Sequence, residues 1–308
     1  MRNNFADAIY EIGRKDPNIC AVVADISPAG SMLNFREEFP ERFVNCGVAE
    51  QSMIGIAAGM ALRGMRPFCY TIATFSLYRP FEMVRDDLCY QNLPVTVVGM
   101  GAGVIYSTLG GTHHTMEDIA IAAAVPNMTV LAPCDPTEMR LATEWCATAS
   151  TGPVYMRLGK AGEPNLSADA EDPFEIGKAR YLKKGDGSFC ILSYGITVAM
   201  AFDIAGRYDA ETGNSPSIVS MHTIKPIDRS GVADILRHHD TVCVVEEHVP
   251  HGGLGSRVKE IAWDENISCR LKAFSLKDEF IHFYGSHEEL LQRHGLEPGK
   301  ILDKIFNN

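Results

Sequence analysis

Glu50 is the single acidic residue in the stretch from Arg42 to Phe75, and it stands at the head of a run from Val48 to Leu62 that is otherwise apolar or small apart from Gln51 and Ser52. A carboxylate there is costly to bury unless it has a partner or a task. Its plain alternative is an exposed acid stabilised by a helix dipole. Phe75, Tyr78 and Phe81 follow at spacings of three. On a helix they share one face, which serves either core packing or stacking against a flat ring. His113 and His114 lie in the Gly-rich segment GAGVIYSTLGGTHHT. A histidine titrates near neutrality and is a ready proton carrier, although buried structural histidines are common. Arg157, in GPVYMRLGK, presents a planar fork suited to phosphate or carboxylate, or to an ordinary surface pair. Ser27 and Ser31, in ISPAGS, are the hydroxyls nearest the end of the first apolar run.

The elements that must position these groups read as follows. A helical stripe of Phe5, Ala8, Ile9 and Ile12 spans residues 4–15. Short apolar runs at 20–25, 42–46, 67–73, 94–100, 128–133 and 153–158 predict strands buried on both faces. Helical segments alternate with them, at 48–62, from 75 to 88 with Pro80 in the first turn, at 116–124 and from Pro136. Thr115 and Asp118 resemble a weak capping box for the third of these. Such alternation predicts a parallel sheet with helices on both faces, and ligands at the carboxyl ends of its strands. Residues 159–188 are polar and rich in Gly and Pro, as a linker would be. A second, smaller α/β unit follows.

The composition excludes several classes. A net charge of -11 disfavours nucleic acid and anionic membranes as partners. No apolar run is long enough to span a bilayer. Nine cysteines without a C-x-x-C pair predict reduced, mostly buried thiols in a cytoplasmic protein and no Cys/His metal framework.

The segments GVAEQ, ATF, GGTHHTMEDIA, PNMTVLAPCDPTE, GPVYMRLGK, IKPID and EEHVPHGGLGS resemble, in order, the C-terminal half of transketolase and of 1-deoxyxylulose-5-phosphate synthase. Length and starting point resemble the C-terminal subunit of a split, two-chain transketolase. The resemblance implies two doubly wound α/β domains: a parallel-sheet pyrimidine-binding domain at 1–165, a linker at 166–187 and a smaller mixed-sheet C-terminal domain at 188–308. It implies thiamine diphosphate as cofactor. Glu50 would bond N1′ of the aminopyrimidine in a low-dielectric site, favouring the imino form that deprotonates the thiazolium carbon. Phe75 would stack on the pyrimidine, with Tyr78 and Phe81 lining the same pocket. His113 would contact or exchange a proton with the substrate. His114, Arg157 and Ser31 would also bind substrate, Arg157 through a phosphate.

Gly185, Asp186 and Gly187 with Asn214 have the spacing of the family's metal-diphosphate motif, but here they precede a strand, so the context is wrong. The expectation is therefore a partner chain carrying the diphosphate-binding domain with Mg2+ or Ca2+, in an α2β2 assembly. Gly55, Ala58 and Gly59 make the Glu50 helix suited to a subunit seam, and the C-terminal half is expected to self-associate.

Two departures narrow the substrate. Leu109 stands where transketolases carry an aspartate, and Met100, Gly101 and Ala102 stand where they carry a phosphate-facing histidine. Each lost charge-assisted hydrogen bond is worth roughly 1.5–3 kcal/mol. The expected activity is two-carbon ketol transfer from a ketose to an aldehyde, on a non-standard small sugar that is less polar, differently phosphorylated or nucleotide-linked. The rivals are a β-type subunit of a 2-oxoacid dehydrogenase or pyruvate-dependent synthase, and a non-catalytic homologue that binds a partner. His222, Lys225, Asp228, His248 and His251 read as structural.

Overall fold

The computed structural model describes residues 1–26 and 32–307. The first half runs α1 (Arg2–Lys15), β1 (Ile19–Val23), α2 (Met32–Glu38), β2 (Phe43–Asn45), α3 (Glu50–Leu62), β3 (Arg66–Ile72), α4 (Ala73–Leu77), α5 (Phe81–Met83), β4 (Thr96–Met100), α6 (Asp118–Ala124), β5 (Thr129–Leu131), α7 (Pro136–Thr148) and β6 (Val154–Leu158). The second runs β7 (Arg180–Lys183), β8 (Phe189–Ser193), α8 (Thr197–Thr212), β9 (Ser217–Ser220), β10 (Thr223–Lys225), α9 (Arg229–His238), β11 (Thr241–Val245), α10 (Leu254–Asp264), β12 (Arg270–Phe274), α11 (His287–Arg293) and α12 (Pro298–Phe306).

A seven-stranded sheet has the order β10-β5-β6-β4-β3-β1-β2, and a five-stranded sheet the order β12-β11-β8-β9-β7. Neighbours are parallel except β10 against β5 and β7 against β9. β1, β4, β6, β8 and β11 are buried at every residue, which is why they read as unbroken apolar runs. Phe5 and Ile9 of α1 cover one face of the large sheet, and Met53, Ile54 and Ala57 of α3 the other.

Four elements depart from expectation. The helix predicted over 75–88 breaks at Pro80, which lacks an N–H and crowds the preceding turn; α4 ends at Leu77 and a wider π-helical stretch, Val84–Tyr90, follows α5. β7 lies inside the stretch expected as linker and forms an edge of the second sheet. β10 crosses back to cover the open edge of β5 in the first sheet, so the halves share a sheet. The capping box at α6 is absent: Glu117 takes the N-cap position, and its side chain accepts no capping bond from the helix. Asp118 turns inward.

Two buried acids tie the linker down. Asp135 caps α7 through Glu138 N and also accepts from Leu166 N, Ser167 N and Ser167 Oγ. Glu138 bonds Arg180 at 3.2 Å and Ser220 Oγ at 2.9 Å. Asp135→Ala is expected to lower stability by about 2–4 kcal/mol, because a cap is lost and buried N–H groups are left unpaired. An unchanged urea midpoint would contradict this.

Candidate active site

β1, β3 and β4 end on one side of the large sheet, where a pocket of about 370 Å³ opens. This is the carboxyl end, where open parallel sheets hold ligands. Asn45, at the end of β2, accepts from the N–H groups of Asp25 and Gly47 and so shapes the approach to α3. Glu50 is the first residue of α3. It is only 3% exposed, and its Oε1 accepts from Arg79 Nη1 at 2.9 Å. The Arg79 guanidinium also lies 4.0 Å over the Phe75 ring. Glu50, Phe75 and Arg79 thus form one corner of the pocket.

His113 stands beside that corner. Its ring meets Phe75 edge-on at 5.1 Å and Tyr106 at 6.0 Å. Burial, then the charge of Arg79, push it below the usual histidine range, so it is held neutral. Its Nδ1 pairs with Thr112 Oγ1 at 3.0 Å, and Nε2 has no hydrogen-bond partner among the described residues.

Several expected site residues are placed elsewhere. His114 is 5% exposed and turns into a separate pocket of about 300 Å³, beside Thr74, Tyr78 and Phe280. Tyr78 lines that second pocket as well. Its hydroxyl donates to Glu117 Oε2 at 2.9 Å and accepts from Glu117 N. Phe81, which begins α5 after Pro80, packs against the core and is not among the residues lining the pocket. Arg157 is 4% exposed. Its Nε donates to Asp118 Oδ2 at 2.9 Å and its Nη2 to the Glu247 carbonyl at 2.9 Å. With Nε and Nη2 engaged in this way, the guanidinium no longer offers the two-pronged fork that a phosphate takes. Ser31 and Ser27 lie outside the described residues.

Three cationic groups and one aromatic escape the sequence reading. Arg79 stands four residues after Phe75, among aromatics whose spacing is the stronger signal. Arg2 lines the pocket, and its Nε is buried without a partner among the described residues. The backbone bond from Arg2 N to Lys160 O at 3.2 Å brings Lys160 to the same rim, where its Nζ lies 4.7 Å from the Tyr106 ring centre. Lys160 lies just past the end of β6, a position that the carboxyl-end rule favours over Arg157. Tyr106 explains Gly101: a Cβ there would lie 2.3 Å from the Tyr106 ring, and the φ of +69° also favours glycine. The aromatic ring fills the space a side chain at the end of β4 would take. Leu109 is exposed.

One face of α3 points outward. Val48 is 71% exposed, Ser52 and Ile56 are exposed, and a Cβ at Gly55 or Gly59 would meet nothing within 4 Å among the described residues. Gly55 and Gly59 therefore do not serve packing within the chain, whereas Ala58, expected on the same outward face, is buried in the core. Asp186 is tied into a turn by Ser188 and Ser215. Among the described residues no cluster of three or more His, Cys, Asp or Glu could hold a metal ion, and no helix is long and apolar enough to cross a membrane. All nine cysteines are free.

Family models described as the transketolase pyrimidine binding domain and the transketolase C-terminal domain match residues 1–163 and 177–301. A subunit of the apulose-4-phosphate transketolase of Phocaeicola vulgatus is 33% identical over 97% of this chain and 94% of its own. The 6-deoxy-6-sulfo-D-fructose transketolase subunit SqwH of Clostridium sp. is 35% identical, over 98% and 92%. A solved split gene transketolase, described as an inactive β4 tetramer, superposes with a TM-score of 0.85 at 34% identity, over 98% of this chain and 95% of that one.

Proposed function

Because the chain belongs to the transketolase family, transferases that depend on thiamine diphosphate, we propose that it is the pyrimidine-binding subunit of a two-chain enzyme moving a two-carbon ketol unit from a ketose to an aldehyde. The observation that carries this reading is the corner formed by Glu50, Phe75 and Arg79. A planar, nitrogen-bearing cation already rests there, over the Phe75 ring and bonded to the buried carboxylate. An aminopyrimidine offers the same flat shape and nitrogen donors, so these residues fit the cofactor once Arg79 swings aside.

In this reading Phe75 supplies the stacking face and Glu50 holds a proton at the pyrimidine nitrogen, shielded from water by α3 and β3. The bound cofactor supplies a nucleophilic thiazolium carbon for the ketose carbonyl. His113, neutral and with Nε2 unpaired among the described residues, accepts or returns a substrate proton. We assign residues 1–163 to pyrimidine binding and 177–301 to the C-terminal domain. The diphosphate end of the cofactor, with Mg2+ or Ca2+, is assigned to a partner subunit in an α2β2 assembly. That two relatives of similar length are named as transketolase subunits supports the assignment. The outward face of α3 is the surface proposed to meet that partner.

Arg2 and Lys160 form an anion-binding rim, and Tyr106 takes the place of a charged phosphate-facing group. The substrates named for the two relatives are a sugar phosphate and a sulfo sugar, both anionic. We therefore propose an anionic ketose as donor, distinct from ordinary pentose phosphates. Arg2→Ala or Lys160→Ala in the two-chain complex is expected to raise KM for an anionic ketose by about 10–100-fold, the loss of one charge-assisted bond, with less effect on kcat. KM for an uncharged ketose should hardly move. Pyruvate decarboxylation without ketose cleavage would overturn the proposal in favour of 2-oxoacid chemistry.

A further inference from the structure

We propose that Glu247, carried by the second domain, is a positioning residue that clamps the loop presenting His113 to the pocket. The proposal deepens the site reading above and rests on His113 facing substrate. Glu247 stands two residues past the end of β11 and is fully buried. Its Oε1 accepts from Val104 N at 2.5 Å. Val104 lies at the base of the loop. There the backbones of Gly103 and Thr115 exchange two hydrogen bonds, 3.0 and 2.8 Å, closing residues 103–115 into a ring of chain. His113 is two residues from that closure. Thr115 Oγ1 in turn meets Thr74 Oγ1 at 2.8 Å, beside Phe75. Gly103 has a φ of +75°, and a Cβ on it would lie 2.3 Å from Glu247 Oε1. The carboxylate and the loop backbone are therefore in direct contact, and position 103 has room for glycine alone.

The rest of the same turn grips the loop's far side. Val249 N donates to Met116 O at 2.9 Å, and Ala120 N to His248 Nε2 at 3.3 Å. Glu247 is itself held by His287, the first residue of α11, whose Nε2 is 3.0 Å from Oε1. A Gly-rich loop loses much chain entropy on ordering, and a misplacement of about 1 Å at a reacting group can cost on the order of 100-fold in rate. A buried carboxylate bonded to the loop base is a direct means of holding His113 in register with Phe75.

The clamp has a pH sense. Burial pulls His287 down, but the charge and hydrogen bond of Glu247 outweigh it and raise it above the ordinary value. A raised histidine contributes fully below its unfolded value, near 6.5, and its contribution is lost as pH rises through the folded one. The other groups facing the pair are Arg157 from β6 with its partner Asp118, and His114 from the loop. Asp203 and Arg207 from α8, with Glu288 and Glu297, rim the outer side of His287.

The test is amide hydrogen exchange of the chain alone, corrected for intrinsic rates, together with kinetics of the two-chain complex. In Glu247→Ala, exchange in residues 103–115 is expected to rise about tenfold or more, with the β1, β3 and β4 amides unchanged. Wild-type loop exchange is expected to quicken as pH rises above about 6.5, and His287→Asn to remove that dependence. In the complex, Glu247→Gln, which keeps an acceptor for Val104 N but loses the charge, should raise KM and lower kcat for the ketose. Thiamine diphosphate affinity should change less than about twofold, since Glu50 and Phe75 are untouched. Unaltered loop exchange in both Glu247 variants, uniform loosening of the whole sheet, or a wild-type pH profile in His287→Asn overturns the clamp. The exchange result holds whether or not the chain proves to act on sugars, so the two readings fail separately.

Discussion

Glu50→Gln and Glu50→Ala are expected to lower two-carbon transfer by the assembled enzyme about 10²–10⁴-fold, the range for losing a positioned proton carrier. Gln is the sharper variant. It keeps the length of the side chain and an oxygen that can still accept from Arg79, but it cannot hold a proton at the pyrimidine nitrogen. The near-complete burial of Glu50 makes the loss large, because water cannot easily take over the role. Thiamine diphosphate should still bind Glu50→Gln, through Phe75 and the partner subunit, at a reduced affinity. Full transfer rates in Glu50→Gln, with bound cofactor demonstrated, would sink the assignment of Glu50.

The second large effect is on folding. Arg157→Ala is expected to destabilise the chain by about 3–5 kcal/mol, because it leaves Asp118, wholly buried, with an uncompensated charge. Tyr155 Oη, 2.8 Å from Asp118 Oδ2, remains as a donor but brings no positive charge. The exposed pair Arg207 and Asp203, one helical turn apart on α8, is the natural control. Its removal should cost about 0.3–0.5 kcal/mol. Urea unfolding of the three proteins decides the matter. If Arg157 instead read a substrate phosphate, Arg157→Ala would unfold at the wild-type midpoint and show only a raised KM.

Much of the architecture is legible in short-range pattern. β1, β4 and β6 are buried on both faces, so each had to be a continuous apolar run, and the alternation with helices left few topologies open. Glu50 is legible for the same reason: an acid heading a run of apolar residues violates the partition between core and solvent, and the violation shows without coordinates. Phe75 and His113 lie in segments at strand ends, where the fold class alone says that ligands sit. β7 and β10 are not legible. They are four and three residues long, and each exists because another strand's edge needed covering.

The sequence by itself therefore pointed to the two sheets and to the carboxyl end of the large one, where Glu50 and Phe75 line the pocket and His113 stands beside Phe75. These follow from periodicity and burial, which act over a few residues. Only the tertiary structure decided which way the polar side chains turn. Arg157 goes to Asp118, His114 leaves the pocket, Arg2 meets Lys160 from the opposite end of the first domain, and Glu247 reaches from the second domain to the loop at Val104. The physical reason is the same in each case. A buried charge or hydrogen-bonding group must find its complement wherever the fold brings one within about 3 Å, and that complement carries no mark in the neighbouring sequence.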